Sequence, residues 1–139
     1  MQLDVRGPRF AAAVTTVVLV LALVTGSGWL ALAQAVVFAI GAGSARYAPY
    51  GWFFRTVIAP KLGPVTEREP AEPVRFAQGV GFVFAAVATI GFLSGATTVG
   101  LVATGFALAA AFLNAAFGFC LGCETYLLLK RLTTRPAAG

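Results

Sequence analysis

The sequence predicts an all-α integral membrane protein: four transmembrane helices in two hairpins, joined by a central loop that holds an interfacial amphipathic helix. Three observations carry this. The chain of 139 residues is 59% hydrophobic, with a mean hydropathy of +0.87. Only 11% of its residues are charged, against roughly 25% in soluble domains, too few to cover a core of the size this chain would bury. The charges also come in blocks, separated by uncharged stretches at 10–45 and 76–123. Each stretch exceeds one span of ~20 residues and matches a hairpin of two. This composition excludes a soluble globule, a disordered chain and a disulfide-rich secreted module. The lack of His excludes His-based metal sites and His general bases.

The helices follow in order. The first is expected over 8–25, ending at Thr25-Gly26-Ser27-Gly28, and the second over 29–45. The third is expected over 76–93, ending at Ser94-Gly95-Ala96-Thr97-Thr98, and the fourth over 99–129 as one helix. Glycine and hydroxyl residues punctuate helices at both turns. Helices one and two are short for a ~30 Å hydrocarbon layer, a deficit that snorkelling Arg9 and Arg46 can cover. Arg6, Arg9, the run at 10–24 and Ala31-Leu32-Ala33 imitate a signal peptide. Because apolar character continues to Ile40, cleavage would orphan an apolar stub, and the first hairpin is expected to stay.

All ten basic residues lie in the N-terminal segment, the central loop or the C-terminal segment, and none in the two hairpin turns. The positive-inside rule places those segments and both termini in the cytoplasm of a multi-pass bacterial plasma-membrane protein. The net charge of +5 then reflects topology and attraction to anionic lipid. In the central loop, Tyr47, Tyr50, Trp52, Phe53 and Phe54 crowd together between Pro49 and Pro60. An interfacial helix over 49–59 would put Tyr50, Phe53, Phe54, Val57 and Ile58 on one face, with Arg55 opposite. Its expected role is that of an aromatic anchor at the membrane surface. The stretch 63–72 reads as a flexible loop.

The one chemical motif lies near the end of the fourth helix, at Cys120-Leu-Gly-Cys123-Glu124. These are the only two cysteines in the chain, and they form C-x-x-C. A span beginning at Val99 is used up near Phe119 at ~1.5 Å per residue, so the pair is expected at the cytoplasmic boundary. Thiols there are kept reduced, which favours a transient redox or sulfur-carrying role over a structural bridge. Within a helix, i and i+3 place both sulfurs on one face but misdirect them for an unstrained bond. Glu124 falls on the face of Cys120, placed to exchange the thiol proton or to pair with a nearby cation. Arg9, Arg46 and Arg75 reach the same side and would favour a thiolate or an anionic sulfur substrate. Asn114, Gly118 and Gly122, with Ala111 and Ala115, form a small-residue stripe expected to pack helices on the side away from the cysteines. On that reading Gly118→Leu is disruptive and Gly118→Ala mild. A metal or iron–sulfur site would need ligands from a second chain, so neither metal nor cofactor is expected. Nothing indicates nucleic-acid, nucleotide or haem binding.

The segments Arg6-Gly-Pro-Arg9-Phe10, Arg46-Tyr-Ala-Pro49-Tyr50, Arg75-Phe76-Ala-Gln-Gly79 and Phe117-Gly-Phe-Cys120-Leu-Gly-Cys123-Glu124 resemble a bacterial membrane family, domain-of-unknown-function family 4395, common in actinobacteria. Members are often encoded beside thioredoxin-like proteins and rhodanese-type sulfurtransferases. The resemblance therefore implies thiol or sulfane-sulfur chemistry at Cys120 and Cys123, with such soluble proteins as partners beside the lipid bilayer. The expected function is a membrane thiol-redox or sulfur-relay protein. Two readings of other classes stay open: a small permease for a sulfur-containing anion, and a non-catalytic scaffold subunit. Enzyme status and homo-oligomerisation are left open by the residues.

Overall fold

A computed structural model describes residues 2–44, 46–64 and 67–133. Ala45, the expected end of the second helix, lies outside the described residues, as do Val65 and Thr66 of the central loop and Arg135 of the basic C-terminal segment. The order is β1 (Gln2–Asp4), α1 (Arg6–Thr25), α2 (Gly28–Gly43), α3 (Pro49–Phe53), β2 (Arg68–Pro70), α4 (Ala71–Ser94), α5 (Thr97–Phe117) and α6 (Leu121–Thr133). The described residues are all-α apart from one short antiparallel pair.

Three helices are long and apolar enough to cross a membrane: Arg6–Thr25, Ala71–Ser94 and Thr97–Phe117. By length and composition, that is the pattern of a membrane protein. Helix α2 is apolar but has 16 residues, about 24 Å at ~1.5 Å per residue. The helices form a ring in which α1 contacts α2, α2 contacts α4, α4 contacts α5 and α5 contacts α1. The core of the ring is mostly alanine: Ala31, Ala88 and Ala103 form one cluster, and Ala35, Phe38 and Ala85 another. Small side chains let helices approach closely where lipid offers no hydrophobic drive to associate. Large apolar side chains such as Val24, Ile90 and Phe106 point outward instead.

Helix boundaries have local causes. Gly26 and Gly95 take left-handed conformations that close α1 and α4. The Ser27 side chain caps α2 by accepting the Leu30 N–H at 3.3 Å. Helix α4 starts at Ala71, five residues before the expected start, because Pro70 in extended conformation lets the helix begin at once. The strands pair Gln2 with Pro70, Leu3 with Glu69 and Asp4 with Arg68. The N-terminal segment is thus tied to the stretch just before α4, whose last residues were expected to belong to a flexible loop.

Helix α3 runs on into a π turn at Phe54–Ile58 and a 3-10 turn at Ala59–Lys61. The expected helical stretch at 49–59 is present, but its apolar residues do not act as one face. Phe54 is buried, with its ring 5.8 Å from that of Phe10, and Tyr50 reaches inward to Gln34. Phe53 and Val57 are exposed. The π turn adds a residue to the helical repeat and rotates the later side chains away from a common stripe.

The expected single helix over 99–129 is two helices. Helix α5 stops at Phe117 because Gly118 takes φ 70°, and its N–H bonds back to the Asn114 carbonyl at 2.9 Å. A second bond, Phe119 N–H to the Leu113 carbonyl at 3.3 Å, completes the stop. Helix α6 then packs on the start of α4.

Candidate functional site

The break at Gly118 places both cysteines. Cys120 sits immediately before α6, outside the helical ladder, and Cys123 lies in its first turn. The Cys120 sulfur accepts the Cys123 N–H at 3.0 Å, as a capping oxygen would, and the Cys120 carbonyl accepts the Glu124 N–H at 3.0 Å. The two Cα atoms are 5.1 Å apart and the sulfurs lie at disulfide distance. A pair inside a helix would be misdirected. Releasing Cys120 from the helix removes that obstacle, which corrects the expectation of a helical pair. The Cys123 amide of the first turn thus meets the Cys120 sulfur, and a helix N-terminus stabilises negative charge.

Beside the pair lies a cavity of about 520 Å³, bounded by α1, α4, α5 and the start of α6. Cys120, Cys123, Arg9 and Asn114 line it, as do Thr15, Phe84 and Phe106. Asn114, Gly118 and Gly122 border the same cavity as the cysteines. The expected small-residue stripe and the cysteine pair therefore share one side, because the chain reverses at Gly118. Gly122 is the packing position: a Cβ there would come 2.6 Å from Ala77 Cβ on α4. At Gly118 a Cβ would meet nothing closer than Arg9 at 3.7 Å. The constraint at Gly118 is its positive φ, which penalises alanine as well as leucine.

Of the three expected anion-binding arginines, only Arg9 borders the cavity. Its guanidinium donates to the Ala115 carbonyl at 3.4 Å, at the C-terminal end of α5 where a cation is favoured. Arg75 donates to the carbonyls of Ala42 and Gly43 at 3.1 and 3.0 Å, closing the end of α2. Arg46 lies 5.7 Å from the centre of the Tyr47 ring, and its carbonyl accepts a bond from Arg55. Neither is brought to the cysteines. Glu124 is exposed in the first turn of α6 and is not part of the cavity wall.

A buried polar chain escaped sequence reasoning. Tyr50 donates its hydroxyl to Gln34 Oε1 at 2.8 Å, and Gln34 Nε2 donates to Thr15 Oγ1 at 3.4 Å. Gln34 and Thr15 are both buried, and Thr15 also lines the cavity. Burial of Tyr50 raises its hydroxyl above the usual tyrosine range. The available signal was Gln34 itself, the single amide in the uncharged stretch 10–45. Gln78 on α4 borders this cavity and a second one of about 330 Å³ between α1 and the α3 segment.

The family described as domain of unknown function (DUF4395) matches residues 3–131. No curated protein and no solved structure matches the chain. The chain belongs to the DUF4395 family.

Proposed function

We propose that this DUF4395 protein is a four-span thiol-redox protein of the bacterial plasma membrane. Its Cys120–Cys123 pair would face the cytoplasm and exchange electrons with a soluble thioredoxin-like protein. The observation that carries the reading is the position of the pair: a C-x-x-C that straddles a helix start and borders a cavity, with its sulfurs at disulfide distance. The partner's thiolate attacks one sulfur of the disulfide and forms a mixed disulfide. The second partner thiol then attacks that bond, leaving Cys120 and Cys123 as a dithiol and the partner oxidised. Cys120 is the better-supported nucleophile in the reverse direction, because its sulfur already receives the Cys123 N–H.

A sulfur relay is the second reading, with a rhodanese-type partner delivering a persulfide to one cysteine. The Cys123 N–H on the Cys120 sulfur favours it, since a persulfide is anionic. An anion permease has less support, because Glu67 offsets Arg9 among the lining residues. The test is a Cys123→Ser variant expressed in its native membrane. Cys120 is expected to accumulate as a mixed disulfide with a soluble thiol protein, identified by mass spectrometry. If no adduct forms and the double Ser variant complements a deletion in full, the scaffold reading replaces this one.

A further inference from the structure

We propose that the cavity beside Cys120 and Cys123 binds the head group of a lipid-soluble quinone, which accepts the two electrons of the cysteine dithiol. This rests on the thiol-redox reading above and supplies its second electron carrier.

The walls of the cavity argue for the ligand class. Apart from Arg9 and Glu67, one charge of each sign, the lining side chains are uncharged and mostly apolar. That suits a neutral ring and not an anion. The volume of about 520 Å³ lies within the range of roughly 300–1,000 Å³ typical of small-molecule sites. The route of entry argues for a ligand dissolved in lipid. Phe84 and Phe106, with ring centres 6.2 Å apart, line the cavity and are also 36% and 62% exposed on the outer surface of α4 and α5. The cavity thus reaches the apolar outside of the bundle between those helices. The polar groups fit a carbonyl-bearing ring. Arg9 and Asn114 border the cavity with the cysteines and can donate to a quinone oxygen. Thr15 is 4% exposed and accepts from Gln34, while its own O–H has no acceptor among the described residues. A second ring oxygen would provide one.

The electron balance closes within the site. The thiolate of Cys120 adds to a ring carbon. The thiolate of Cys123 then attacks the Cys120 sulfur, the S–S bond forms and the C–S bond breaks, leaving its electron pair on the ring. The two thiols lose two electrons and two protons, and the quinone gains both to become a hydroquinone. The soluble dithiol partner then reduces the disulfide again.

The test uses purified protein in lipid nanodiscs, reduced with a phosphine and freed of excess reductant. The probes are a decyl-substituted benzoquinone and a short-chain naphthoquinone. We expect one hydroquinone per protein, with loss of both thiols to alkylation, at a rate far above that of a free dithiol. Ala111→Trp, which fills the cavity, is expected to slow this at least about tenfold. Thr15→Val nearly keeps the side-chain volume and is expected to raise the quinone concentration that gives half the limiting single-turnover rate about fivefold, the loss of one hydrogen bond of ~1 kcal/mol, with the limiting rate little changed. Thermal melting checks that each variant is folded. If diamide oxidises the wild-type pair and neither quinone does so faster than it oxidises a free dithiol, the quinone site is wrong and the thiol-redox reading stands. Quinone rates insensitive to both folded variants overturn the site as well. If diamide cannot oxidise the pair either, the thiol-redox reading itself fails.

Discussion

At Gly118 the positive φ of 70° ends α5, turns the chain and leaves Cys120 free of the helix. A Cβ in that conformation costs roughly 1 kcal/mol or more. Gly118→Ala is therefore expected to lower stability by about 1 kcal/mol, although space for the methyl group exists. Thermal melting in detergent checks this, and an unshifted midpoint would mean that α5 runs on without its stop. A second residue-scale prediction concerns Asp4. Its hydrogen bonds from the Arg6 guanidinium, the shortest at 2.7 Å, hold its carboxyl below the usual carboxylate range. A depressed folded value means that the stabilisation is complete above the unfolded value of ~3.9 and is lost as pH falls through the folded one. The protection of the β1 and β2 amides, taken relative to the intrinsic exchange rate at each pH, is expected to fall below about pH 4. Asp4→Asn should remove that pH dependence and leave the protection uniformly lower.

Among the elements, α6 is held on α4 at a close approach that only a glycine allows. It lies on α4 through Gly122 against Ala77 and through Tyr126 against Phe76, whose rings are 5.6 Å apart. Gly122→Leu cannot keep that approach. It is expected to lift α6 from α4 and to raise the alkylation rate of the reduced cysteines severalfold, while the apolar spans stay assembled. Unchanged alkylation would show that α6 is held elsewhere. The same region marks where the sequence was legible and where it was not. Charge blocks and turn residues located α1, α2, α4 and the start of α5 to within a few residues. The α5–α6 break was missed because Phe-Gly-Phe-Cys-Leu-Gly-Cys holds no proline and no charge, and glycine inside an apolar run also reads as a packing residue. The φ of Gly118 follows from α6 docking on α4, a contact between distant segments. The β1–β2 pair was missed for the opposite reason: its charged residues read as loop, and the pairing joins segments some 65 positions apart. The C-x-x-C spacing announced the cysteine pair. The cavity beside it could not be read, because it exists only where α1, α4, α5 and α6 meet.

For the molecule as a whole, the contacts at one end of the bundle constrain how it sits in a bilayer. The pairing of β1 with β2 puts the starts of α1 and α4 together. Arg75 ties the end of α2 to the beginning of α4, and Arg9 ties the end of α5 to the beginning of α1. Arg6, Arg9, Arg68 and Arg75 thus lie at or near the end opposite the turns closed by Gly26 and Gly95. If α1 crosses the membrane, α2 must return across it, although its 16 residues fall short of a ~30 Å layer. Arg46 just beyond its end and local thinning of the bilayer can cover the difference. Reporter fusions at Ser27 and at Ala96 are therefore expected on the periplasmic side. Fusions at the N-terminus and within 63–72 are expected in the cytoplasm, where the positive-inside rule holds the basic residues. The decisive fusion is the one at Ser27. A cytoplasmic signal there would mean that α1 and α2 dip into the bilayer and return on the same side. The four-span reading would fall, while the ring of helices around the cysteine cavity would still stand.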